Sequence, residues 1–103
     1  MAYYYDGRSF RDIRDALDAV RDDIDLSLGD SDLDSYLREN GAVVIDGEAY
    51  RTASALKRVD HSLYREIRDE FIERIMSDVR DGADSGEFPL RIPFTGNVLE
   101  SSE

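Results

Sequence analysis

Asp12, Asp15, Asp18, Asp22 and Asp25 recur every three or four residues in FRDIRDALDAVRDDIDLSL, residues 10–28. On an α-helix that spacing brings carboxylates to one side, with neighbouring Cβ atoms about 5–6 Å apart. The chemistry open to such a row is electrostatic: a line of anions whose spacing is comparable to that of phosphates along a nucleic-acid strand. With Asp12 at 0° and about 100° per residue, Asp15, Asp18, Asp22 and Asp25 fall between about 220° and 300°, and Asp23 falls near 20°. The apolar Phe10, Ile13, Leu17, Val20, Ile24 and Leu28 share an arc of about 80° centred near 120°. Like charges at this spacing cost a few tenths of a kcal/mol per pair, and aspartate in a helix interior costs roughly half a kcal/mol more. Arg11, Arg14 and Arg21 relieve part of it, yet residues 6–34 hold ten acids against four bases. Aspartate keeps its charge close to the backbone on a side chain with little rotamer entropy to lose, so the row is a stiff one.

Asp30, Asp32 and Asp34 continue the acidic stretch as D-x-D-x-D, the opening of a calcium loop. That loop needs Gly at its sixth position and a bidentate Glu at its twelfth, where this chain has Ser35 and Gly41. Helix capping and an extension of the acidic surface fit these three residues better. His61 is the only histidine and cysteine is absent, so neither a transition-metal site nor thiolate chemistry has its ligands. No serine sits in a nucleophile elbow, and no carboxylate pair is singled out by a surrounding cleft motif. The expectation is a protein that is not an enzyme and carries no metal or cofactor.

Charge and composition restrict the partners. With 24 acidic and 13 basic residues the net charge is −11, which repels nucleic acid and anionic membrane and favours a basic protein surface. Sixteen of the acids are Asp, and all the bases but Lys57 are Arg. An Asp-rich, Lys-poor surface is also the habit of salt-adapted proteomes, where acidity serves solubility alone. No apolar run approaches a membrane span, and MAYYYDGRSF lacks the pattern of a secretion signal, so a cytoplasmic protein is expected. Tyr3, Tyr4 and Tyr5 form an aromatic cluster that could anchor a protein partner from an acidic rim.

These residues need a scaffold. Ser9, with Asp12 three residues on, reads as an N-cap and places the first helix at about 9–28. Asp30 or Ser31 caps a second, 31–40, ended by Asn40-Gly41. The β-branched run 42–45 and Asp46-Gly47 predict a hairpin over 42–51. Thr52 caps a helix over 53–59, and Asp60 caps one over 60–81 that Gly82 ends. Phe88, Leu90, Ile92 and Phe94 alternate, giving an extended segment at 88–94 whose Pro89 and Pro93 suit a sheet edge. Residues 2–5 have strand propensity, and 97–103 read as a frayed tail. The expected fold is α+β: one small domain, 1–103, of amphipathic helices on a small antiparallel sheet made of the hairpin, segment 88–94 and residues 2–5.

At the level of class, the aspartate row in a chain without a catalytic motif resembles the small acidic proteins of phages and mobile elements, anti-CRISPR proteins and other nucleic-acid mimics among them. The resemblance covers about a quarter of the chain and transfers no residue by correspondence. It implies a stoichiometric inhibitor that occupies the basic groove of a nucleic-acid-binding protein or complex, such as a CRISPR effector. Asp12, Asp15, Asp18, Asp22, Asp23, Asp25, Asp30, Asp32 and Asp34 are the residues expected to face that partner. The alternative is a small regulatory or assembly protein, homodimeric through the tyrosine-rich N-terminus or the PLRIPF edge, whose acidity serves only solubility.

Overall fold

The computed structural model describes residues 2–102, in the order β1 (Ala2–Tyr5), β2 (Arg8–Phe10), α1 (Ile13–Ser27), α2 (Asp30–Asn40), β3 (Val43–Ile45), β4 (Glu48–Tyr50), α3 (Ala53–Val59), α4 (His61–Asp84), β5 (Leu90–Arg91) and β6 (Val98–Ser102). The fold is a small α+β domain with two antiparallel sheets. Its contacts divide the chain into two compact units. One takes the described residues up to Ser27 and from Ile72 onward; the other is Leu28–Phe71.

In the first unit the sheet order is β2-β1-β6-β5. Asp6 and Gly7 both have positive φ, the signature of a two-residue hairpin turn, and this turn brings Arg8–Phe10 back along β1. The expectation that Ser9 caps the first helix is therefore corrected: Ser9 pairs with Tyr4 in the sheet, and α1 begins at Ile13. Asp12 is the residue that starts it, with Oδ1 accepting from the Arg14 N–H at 2.9 Å. Tyr5, Ala16, Val20, Ile24, Ile72, Met76, Val79, Ile92 and Leu99 are the buried apolar residues of this unit's core, along with Ile75.

Two further expectations fail here for physical reasons. The tail expected to fray forms β6 up to Ser102, paired to β1 on one side and β5 on the other; Glu103 lies outside the described residues. Burial of Leu99 and the hydrogen bonds between Ser102 Oγ and the Ala2 backbone fix the strand. Gly82 does not end α4, which continues to Asp84. Gly82 is buried there, and a Cβ on it would lie 2.7 Å from Leu90 Cδ2, so the Leu90 side chain packs where a larger residue would displace its end. Of segment 88–94 only Leu90–Arg91 is strand, and Phe94 is exposed in a turn instead of buried in the alternating series.

The second unit is built on local signals. Gly29 rather than Asp30 or Ser31 is the N-cap of α2, and Asp32 reaches back to the Gly29 N–H at 2.9 Å. Gly41 with φ of 90° ends that helix. The hairpin forms its own two-stranded sheet around Asp46-Gly47, again with positive φ at both residues, so it does not share a sheet with β5. Thr52 caps α3 by accepting from the Ala55 N–H, and Asp60 caps α4 by accepting from the Leu63 N–H. Leu33, Tyr36, Leu37, Ala53, Leu56 and Tyr64 form the core, with Val43, Ile45, Tyr50, Ile67 and Phe71 against it.

Candidate functional site

The nine candidate aspartates separate into two kinds. Asp15, Asp18, Asp22 and Asp25 are all exposed on the outer side of α1. Their ten-residue span corresponds to about 15 Å of helix at about 1.5 Å per residue. The opposite side of the helix is buried at Ala16, Val20 and Ile24. Arg14 pairs with Asp12 at 2.9 Å and Arg21 pairs with Glu73 of α4, so the two arginines of the helix are drawn to partners outside the row. Arg14 is also near enough to Asp15 to feel its charge. Among the described residues, no side-chain hydrogen bond or ion pair engages the carboxylate of Asp18 or Asp22.

The other five are engaged in holding the fold. Asp12 caps α1, and the hydrogen bonds from Arg14 hold its carboxyl below the usual range. Asp23 faces the sheet: its Oδ2 accepts from the Tyr5 hydroxyl at 2.5 Å and from the Asn97 amide at 2.7 Å, and its Oδ1 accepts from Ser27 at 3.4 Å. The Tyr5 hydrogen bond is the main cause of its lowered carboxyl pKa. Burial, and then the bond to Asp23, push the Tyr5 hydroxyl up to about 12. In the second unit, Asp30 accepts from Lys57 Nζ at 3.2 Å, and that bond raises the lysine's pKa. Asp32 caps α2. Asp34 accepts from the N–H of Ala53 at 2.7 Å, satisfying a donor in a residue with no exposed surface. All five thus have partners within the fold. Asp12, Asp32 and Asp34 serve helix-terminal N–H donors and Asp23 serves the part-buried Tyr5 hydroxyl and Asn97 amide, while Asp30 makes an exposed ion pair with Lys57.

The tyrosine cluster also divides. Tyr5 is 2% exposed and belongs to the core, so it is no anchor for a partner. Tyr3 is half-buried with its ring 5.8 Å from that of Phe88, and only Tyr4, at 44%, is open. Strand alternation decides this, because Tyr3 and Tyr5 share the face opposite to Tyr4.

One surface residue was not foreseen. Leu26 is 87% exposed on α1, and with Tyr5, Asp6, Arg8, Ala19, Asp22 and Asp23 it lines a recess of about 140 Å³. Its helical angle, about 320° on the wheel used above, places it just past Asp15 and away from the apolar arc, which was the available signal. His61 is exposed beside Tyr64. Among the described residues there is no group of three or more His, Cys, Asp or Glu placed to hold a metal ion, and no helix is long and apolar enough to cross a membrane.

Comparison with protein-family models, with curated proteins and with solved structures returns no match for this chain. The site has to be interpreted from its own geometry and charge.

Proposed function

We propose that the protein is a non-catalytic inhibitor that presents Asp15, Asp18, Asp22 and Asp25 as substitutes for nucleic-acid phosphates and occupies the basic groove of a nucleic-acid-binding effector, in the manner of anti-CRISPR proteins. The observation that carries the reading is the exposed row of four on α1, set against Asp12, Asp23, Asp32 and Asp34, whose carboxylates accept from helix-terminal or part-buried donors of the fold. Beyond Asp15, whose first-turn position suits the helix dipole, the row costs its own helix, since its members repel one another and aspartate is a poor helix former. A partner with closely spaced Lys and Arg turns that cost into attraction, steering the encounter and weakening with salt. Leu26 beside the row supplies an apolar contact of the kind that anchors the centre of a protein interface.

The test is capture of partners from host lysate by the wild-type protein and by the Asp15→Lys/Asp18→Lys/Asp22→Lys variant, at low and high salt. The reading expects a basic nucleic-acid-binding protein retained by the wild type at low salt, and lost with the variant or with added salt. Equal retention by the variant removes the row from the interface and the reading with it.

A further inference from the structure

Along α1, Ala19, Asp22, Asp23 and Leu26 stand at i, i+3, i+4 and i+7, so they form one stripe of the helix surface. The β1–β2 hairpin flanks that stripe, and its Tyr5, Asp6 and Arg8 complete the lining of the recess of about 140 Å³. That volume is well below the range of roughly 300–1,000 Å³ typical of small-molecule and cofactor sites, and it suits the end of a single side chain. On the helix side the recess is apolar at both ends, at Ala19 and at the 87% exposed Leu26, with two carboxylates between them. The cation in the lining leaves those carboxylates alone: Arg8 holds its guanidinium 5.0 Å from the Phe10 ring centroid and forms no ion pair among the described residues. Asp23 is fixed in place through Oδ2 by the Tyr5 hydroxyl and the Asn97 amide, while its Oδ1 accepts only the long bond from Ser27. Its neighbour Asp22 is exposed.

Shape and charge together select the occupant: a side chain with an apolar flank and a cationic end that can donate in more than one direction. Guanidinium is planar, carries five N–H donors in a fixed fork and is more weakly hydrated than an ammonium, so it tolerates an apolar wall better. We propose that the recess receives an arginine side chain of the partner, its guanidinium bridging Asp22 and Asp23 while its flank covers Leu26. This contact deepens the reading of α1 as a phosphate-like surface, and rests on it for the basic character of the partner. The row attracts at a distance; the recess fixes where along the helix the partner sits.

The test is an NMR titration of the isotope-labelled full-length chain with two blocked tripeptides of equal charge, acetyl-Gly-Arg-Gly-amide and acetyl-Gly-Lys-Gly-amide. The arginine peptide is expected to give saturable shifts centred on Ala19, Asp22, Asp23 and Leu26 with a Kd of about 5 mM, and the lysine peptide to bind at least about fivefold more weakly. Leu26→Ser, at a position open to solvent, and Asp22→Asn are each expected to weaken the arginine peptide about fivefold with circular dichroism unchanged. Asp15→Asn/Asp18→Asn removes twice as much charge from the same helix as Asp22→Asn, and is expected to weaken the peptide less than about twofold. No saturable shift at the recess by about 50 mM arginine peptide overturns the proposal. So does equal binding of the two peptides, or a larger loss with Asp15→Asn/Asp18→Asn than with Asp22→Asn. The titration uses no captured partner, so its failure leaves the phosphate-substitute reading to the lysate experiment, and failure of that experiment does not alter the titration.

Discussion

The aspartates of α1 and those of the Asp30–Asp34 stretch are the same residue type put to opposite uses. On α1 the row is spaced by threes and fours from the first turn onward, and Asp15, Asp18, Asp22 and Asp25 are all exposed. In 30–34 the acids alternate by twos at a helix start, and each reaches a donor: Lys57, the Gly29 N–H and the Ala53 N–H. Position relative to orphan N–H groups, more than net charge, decides whether an aspartate stabilises the fold or is left to act on something else. Asp23 sharpens the contrast from within α1, since a single residue step, about 100° of helix rotation, separates structural Asp23 from Asp22 of the row.

The contrast can be broken by substitution. The largest effect expected is on binding: Asp15→Lys/Asp18→Lys/Asp22→Lys lowers affinity for the captured partner on the order of a hundredfold while circular dichroism stays that of wild type. Asp23→Ala has the largest effect on stability, about 2 kcal/mol by denaturant unfolding, because it strands the Tyr5 hydroxyl and the Asn97 amide in part-buried positions. Asp34→Ala costs about 1.5 kcal/mol for the buried Ala53 N–H it leaves unpaired, and leaves partner binding within error of wild type. Asp15→Asn/Asp18→Asn/Asp22→Asn moves in the other direction by a few tenths of a kcal/mol, as relief of repulsion slightly raises the melting temperature. A loss of more than about 1 kcal/mol in that last variant would mean the row is structural after all.

The Tyr5–Asp23 pair adds a pH signature. Asp23 has a folded pKa below its unfolded value, near 3.9, so its contribution is fully present above that pH and is lost as pH falls through the folded value. Tyr5 has a folded pKa raised to about 12, so the contribution of its neutral hydroxyl is complete below about pH 10 and is lost as pH rises towards 12. Urea unfolding across both limbs should show the alkaline fall-off in wild type and a flatter profile in Tyr5→Phe.

Much of this fold was legible from local signals. Asp46-Gly47, Thr52, Asp60 and Asn40-Gly41 mark the hairpin and the helix ends of the second unit where the structure has them. What escaped was long-range. The pairing of Tyr3 with Ser101 joins opposite ends of the chain, and nothing in NVLESSE announces a partner near residue 3. Ser9 and Asp12 carry the spacing of a helix start, but the Asp6-Gly7 turn claims Ser9 for a strand, and a short-range pattern cannot rank the two. Gly82 has the look of a stop sign, yet the helix runs on through it and its Cα side is packed by Leu90, eight residues on. The row itself was readable as periodicity. Asp23, expected to face a partner with the rest, turns instead to Tyr5 and Asn97, and that needed the sheet to be in place.

The most direct measurement is a competition titration on the captured partner: labelled nucleic acid is bound first, and the protein is added at increasing concentration. Phosphate substitution predicts displacement at one protein per binding site, abolished by Asp15→Lys/Asp18→Lys/Asp22→Lys and weakened as salt rises. A ternary complex with the nucleic acid still bound, or displacement by the reversed variant as effective as by wild type, would contradict it.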